Sequence, residues 1–277
     1  MNNEVREASA EEAANQVRDE MDLFEPPFDP FLIADKKNID VTSKNLEGNK
    51  FSGCLMRGGS QFGIIYDDSK CNEGYENFTV AHELGHYHIN GHMSSFALDE
   101  DNVHHSSLIY ESNDPKEKEA NHFAASLLMP EEIFIGYINE VEKGIEGIKD
   151  LAKTFRTSLT ATAIRYAKLS PDAVMIVISH EGEIVYKWVN EAMQSHRGVE
   201  YWELEGPLPR NTQTYSFNQK NEDIKDRKSD TAFPDLNEWF ENAEDLSLVE
   251  EIQGLGSYGR TLTVITIDDS EIDTTFF

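Results

Sequence analysis

The sequence predicts an α+β chain: a small sheet packed on one motif-bearing helix, a helical segment after it, and a small C-terminal α+β region. Three observations carry that expectation. Short strand-like runs at 39–41, 51–57 and 61–66 lead into a helical stretch at 78–89. Helical patterning then recurs from 114 to 169. From about residue 191 the texture turns polar and weakly periodic before a strand pair at 246–252 and 261–267. The expected division is therefore a first domain over 1–190, including the helical segment near 131–169, and a C-terminal region over 191–277. Within the latter, residues 211–231 read as a flexible stretch, and no chemistry is legible.

Taken in order, residues 4–23 form an amphipathic helix with Val5, Ala8, Ala13, Val17 and Met21 loosely on one side. Pro26, Pro27 and Pro30 end it, and 31–34 start a short second helix. The runs at 51–57 and 61–66 make a hairpin through Gly58-Gly59. Asn90-Gly91 stops the helix over 78–89. Residues 94–112 read as irregular apart from an apolar patch at 108–110, and so long a connection is a candidate substrate-binding loop. Asp114-Pro115 opens the next helix as cap and first turn, and Pro130 closes it. Helices at 130–141, 145–155 and 159–169 follow, then a hairpin, 173–179 with 183–188, around Glu181-Gly182, and a short helix at 235–242.

At 277 residues the chain can bury a full core. It carries 24 Lys and Arg against 52 Asp and Glu, a net charge of −28. That field repels nucleic-acid phosphates and membrane surfaces and attracts a basic protein partner; simple solubility or a salt-tolerant host accounts for it equally well. The 148–169 segment has a faint helix-turn-helix spacing at Ala152, Ser158 and Ile164, but its cations are scattered, and direct nucleic-acid binding is not expected. No stretch approaches the roughly 18 apolar residues of a membrane span, and the acidic N-terminus lacks signal-peptide features. Cys54 and Cys71 are too few for a disulfide framework and read as free thiols in a reducing cytosol, so the expected location is cytoplasmic. The sequence names no oligomeric state.

The chemistry concentrates in His82-Glu83-Leu84-Gly85-His86. Two imidazoles four residues apart share one helical face and can take the same small ion, with tetrahedral Zn²⁺ the usual occupant. Glu83 leans to one side, where it can hold a water on the metal. Two residues compete as third ligand. His92 lies six residues after His86, but the Gly needed to turn the chain back is replaced by Ile89, so His92 reads better as a surface or supporting residue at the helix end. Glu117 is favoured: with Ala120, Asn121, Ala124 and Leu128 it shares one face of its helix. Its competing role is a capping box with Asp114. Glu119, about 200° round the helix from Glu117, falls with Lys118, His122 and Ser126 on the expected solvated side. Asn121, one turn beyond Glu117, is placed to orient a ligating imidazole, or is a buried amide. Tyr87, Tyr110, His88, His104 and His105 are all conceivable donors to an oxyanion, with Tyr87 better read as packing.

These segments, 78–86 and 117–130, together with the lead-in at 26–41 and the helical run 151–165, resemble the ImmA/IrrE family of zinc metallopeptidases. The resemblance covers about 26–188. It implies a gluzincin-like core with His82, His86 and Glu117 on zinc, and Glu83 assisting attack of a zinc-bound water. It further implies a cytoplasmic endopeptidase acting on a protein regulator, such as a helix-turn-helix repressor or antitoxin, in stress, mobile-element or toxin–antitoxin control. A non-catalytic interaction protein that keeps the zinc site is the alternative. One departure is local: the stretch ahead of the metal helix, basic in the family, here reads Glu73-Gly74-Tyr75-Glu76-Asn77.

Overall fold

Non-local strand pairing divides the protein differently from its texture. A computed structural model describes residues 5–46, 51–95, 103–107, 114–200 and 204–268. The chain forms two compact units, Met1–Asn139 with Asp150–Ala161, and Glu140–Lys149 with Thr162–Phe277. This differs from a division at 190. The hairpin before 190 pairs with a strand near the C-terminus, and that partnership leaves no mark on local sequence.

The first unit begins with α1 (Glu7–Glu20), α2 (Pro30–Lys36) and β1 (Ile39–Lys44). Asp29 caps α2, its carboxylate accepting from the Phe31 and Leu32 N–H groups while Pro30 supplies the first turn. The hairpin β2 (Phe51–Gly58) and β3 (Gln61–Asp67) turns through two residues, with Gly59 at φ +66°. Helix α3 (Glu73–His88) starts five residues ahead of its expected boundary, because Asn72 caps it by accepting from the Tyr75 N–H. Strand β4 (Val103–Ser107) completes a sheet of order β1-β3-β2-β4, with β1 parallel to β3 and the other neighbours antiparallel. β4 lies inside the stretch expected to be irregular. Its sequence, Val103-His104-His105-Ser106-Ser107, has little apolar alternation, and its strand character comes from pairing with β2.

Helix α3 is buried along almost its whole length, which explains why its apolar residues do not form a single stripe. It packs on β2 and β3 on one side and on α4 (Pro115–Leu128) on another. Two glycines allow those approaches. A Cβ on Gly53 of β2 would meet Thr79 Cγ2 at 2.7 Å, and one on Gly85 of α3 would meet the Ala120 Cα and carbonyl oxygen at 3.2 Å. Leu55, Ile64, Val80, Leu84, Phe123 and Leu127 fill the core around this helix. Helices α5 (Glu131–Ile138), α6 (Ile145–Phe155) and α7 (Leu159–Leu169) follow near their expected positions.

In the second unit, β5 (Val174–His180), β6 (Glu183–Val189), β7 (Ser229–Ala232), β8 (Leu248–Gly254) and β9 (Thr261–Ile267) form one sheet in the order β6-β5-β9-β8-β7, antiparallel at every pair. Met175, Val177, Trp239, Phe240, Leu248 and Ile265 lie in its main core, and α8 (Glu191–Gln194) adds Met193. The stretch 211–231 is not a flexible linker. It contains α9 (Gln213–Asn218), α10 (Asn221–Lys225) and most of β7. Its polar composition is misleading because the polar groups are buried in pairs: Thr214 donates to Glu250, and Asn218 Nδ2 to Ser179 Oγ at 2.9 Å. Burial pushes the Glu250 carboxyl up, against the hydrogen bonds from Thr214. Phe217 and Ile224 close a small cluster on Ile252. Phe217→Ala should therefore cost about 3–5 kcal/mol in urea unfolding. A packed segment predicts that loss, whereas an unchanged midpoint would mean that α9 does not belong to the core.

Candidate metal centre

The site is built where α3 meets α4. On α3, His82 and His86 stand one turn apart and present their Nε2 atoms to each other at 3.0 Å. On α4, Asp114 caps the helix by accepting from the Lys116 N–H, so Glu117 sits in the first turn. Its carboxylate is directed at the imidazoles: Oε1 is 3.1 Å from His86 Nε2 and Oε2 is 3.4 Å from His82 Nε2. All three residues are buried. Among the described residues, they form the one group of three or more His, Cys, Asp or Glu able to share an ion.

The donor set fits a small tetrahedral cation. Ligand bonds of about 2.05 Å at tetrahedral angles place donor atoms roughly 3.3 Å apart, close to the spacings found here. The tautomer of His82 fits as well. Its Nδ1 lies 2.8 Å from Asn121 Oδ1, an acceptor, so the hydrogen sits on Nδ1 and the lone pair of Nε2 faces the trio. Burial opposes protonation of His82, yet the neighbouring Glu117 and Glu83 raise its affinity for a proton overall. The pocket attracts positive charge.

Glu83 is fully buried on the flank of α3 that faces β2. A Cβ at Gly53 would come within 3.1 Å of Glu83 Oε1, so the missing side chain leaves room for this carboxylate. Burial, with the Glu83 charge adding to it, pushes the neighbouring Cys54 thiol up and away from thiolate character.

Two side chains lie elsewhere than the helical wheel suggests. Glu119 is 2% exposed rather than solvated, because α1 covers that face of α4 and Arg6, just ahead of α1, binds its carboxylate at 2.7 Å. Arg6 carries no signal in the sequence that would pair it with a residue 113 positions away. His92 is 1% exposed and lies outside the trio: Nδ1 is 3.1 Å from His86 Nδ1, and Nε2 is 3.0 Å from Glu119 Oε2. It is a buried residue and not a surface one. Burial raises the Glu119 carboxyl, but the bonds from Arg6 and His92 outweigh that and hold it at about 2.

Of the conceivable oxyanion donors, Tyr87 packs edge-on against Phe62, with centroids 5.1 Å apart, and His88 stacks on Phe123 at 5.9 Å. Tyr110 lies outside the described residues, as do the side chains of His104 and His105.

Residues 34–166 match the family model described as the IrrE N-terminal-like domain of the M78 peptidases. This segment belongs to the IrrE-like peptidase family. All four motif residues, His82, Glu83, His86 and Glu117, fall within the IrrE-like domain. No curated protein gives a significant match. Among solved structures, a Mycobacterium tuberculosis transcriptional regulator matches with a TM-score of 0.61 and 14% identity, covering 93% of this chain and 76% of that one. At that identity the likeness concerns the fold. No helix among the described residues is long and apolar enough to cross a membrane.

His88 of the IrrE-like domain yields a stability prediction. Burial, aided by Lys37, lowers its imidazole from 6.5 to about 4. The folded state thus resists a proton that the unfolded chain accepts, so this contribution is present above pH 6.5 and is lost as pH falls towards 4. Allowing for the partial exposure of the ring, the loss should be about 1–3 kcal/mol. Urea titrations between pH 7 and 4.5 should show a shallower decline for His88→Leu than for the parent protein; parallel declines would remove His88 from the account.

Proposed function

We propose that the IrrE-like domain is a zinc-dependent endopeptidase with a gluzincin-like core, in which His82, His86 and Glu117 hold the ion and Glu83 is the catalytic base. The observation that carries this reading is the convergence of the three donors at 3.0–3.4 Å from two helices far apart in sequence. When bound, zinc would supply the Lewis acidity that polarises a peptide carbonyl and acidifies water. The protein's own residues do the remainder. Glu83 accepts a proton from the attacking water and returns it to the leaving amine, a transfer worth on the order of 10²–10⁴-fold in rate. Asn121 keeps the His82 lone pair on Nε2.

The substrate we infer is a protein regulator such as a helix-turn-helix repressor or antitoxin, cleaved in the cytoplasm. Family membership of the domain supports a peptidase, and the regulator among its fold neighbours is compatible with a role in transcriptional control. A net charge of −28 suits a basic partner such as a DNA-binding protein. Both cysteines are free, which suits a reducing compartment.

Two variants test the reading. Glu117→Ala should lose zinc from a sample purified without chelator, as measured by elemental analysis. Glu83→Gln should keep zinc yet lose cleavage of a repressor encoded beside the gene, by about 10²-fold or more. If Glu83→Gln sustains the cellular function in full, hydrolysis is not the task, and the protein acts instead by non-catalytic binding.

A further inference from the structure

His92 and Glu119 are buried against the trio without joining it, and their hydrogen bonds can be oriented from chemistry alone. Glu119 receives three donors from Arg6: the backbone N–H at 3.1 Å, Nε at 3.2 Å and Nη2 at 2.7 Å. An ionised carboxylate only accepts, so His92 Nε2, 3.0 Å from Glu119 Oε2, carries a hydrogen. In a neutral ring this leaves the lone pair on His92 Nδ1. That atom faces His86 Nδ1 at 3.1 Å, so the hydrogen between them belongs to His86. His86 is then left with a lone pair on Nε2, the atom that faces Glu117 and His82. The opposite assignment puts hydrogens on both His92 nitrogens and makes the ring a buried cation. It also puts the hydrogen of a neutral His86 on Nε2, turning the atom that faces Glu117 and His82 into a donor.

We propose that Glu119 and His92 are positioning residues that, with Arg6 holding Glu119 in place, set the tautomer of His86 for metal binding. The inference rests on reading the trio as a zinc site. His82 is oriented from its own helix–helix partner Asn121, whereas His86 is oriented through a relay ending ahead of α1. The two ligating imidazoles are therefore set independently, and Arg6, just ahead of α1, takes part in the site through Glu119 and His92. Partners that orient a metal-bound imidazole are typically worth 10–100-fold in metal affinity.

The test is zinc affinity of the full chain, measured by competition with a chromophoric chelator, beside ¹H–¹⁵N spectra of the imidazoles in the zinc-loaded protein. His92→Phe keeps the ring's bulk but cannot accept, and should weaken zinc about 10- to 100-fold with unchanged circular dichroism. His92→Gln can both accept from His86 and donate to Glu119, and should recover most of that loss. In the parent protein, the spectra should show His92 protonated on Nε2 and bare on Nδ1. Equal affinity of parent and His92→Phe, or a hydrogen on His92 Nδ1, overturns the relay while leaving the zinc site standing. A parent protein that takes up no zinc overturns both. If His92→Phe does not fold, the spectrum of the parent decides.

Discussion

Two buried carboxylates beside two buried imidazoles are the constraint on which the first unit depends. Glu83 and Glu117 are desolvated together, and an ionised carboxylate taken out of water costs several kcal/mol unless opposite charge meets it. Nothing in the local helices needs such a cluster, since α3 and α4 already carry apolar residues enough to pack. A divalent cation would resolve the conflict: it would neutralise two negative charges and accept the lone pairs of both imidazoles. The cost of the pocket without an ion is the physical reason to read it as a metal centre and not as a polar defect of the core.

Backbone approach makes that pocket possible. A Cβ at position 85 would meet the Ala120 backbone at 3.2 Å, so the helix that carries Glu117 would have to give by a few tenths of an ångström. Gly53 does the same for the sheet, keeping β2 close to α3 while leaving space for Glu83. Leu84-Gly85 in the motif is thus as much a packing requirement as His82 and His86 are a chemical one. The supporting hydrogen bonds then act on a geometry that the packing has already fixed, which is why single partners such as Asn121 and His92 can select one tautomer.

Much of the first unit was legible in the sequence, because its signals are local. Asp114-Pro115, Gly58-Gly59 and the i, i+4 histidines each announce a cap, a turn or a shared helical face within a few residues. What was not legible depends on distant partners. Glu119 reads as solvated until α1 is known to cover it, and His92 reads as a helix-end residue until Glu119 is known to turn inward. Strand β4 has no apolar alternation of its own and exists by pairing with β2. The stretch 211–231 fails for a related reason: Thr214 and Asn218 are polar residues whose hydrogen bonds lie inside the fold, and composition alone reads them as solvent-facing.

The second unit shows how far such non-local pairing extends. Its last strand, β9, sits between β5 and β8, so the middle of the sheet is filled by the end of the described chain. Without β9, both neighbours would present unpaired edges carrying apolar residues, a state that favours aggregation over folding. The polar stretches between 190 and 247 cannot then be a loose tether to an added module, since β5 has only β6 beside it until β9 arrives. Glu250 reinforces the point. Its carboxylate is buried on β8 and takes hydrogen bonds from Gln213 and Thr214 at the start of α9, so strand and helix each leave a polar group unsatisfied if the other is displaced. The sheet, α9 and the terminal strand therefore form one cooperative unit.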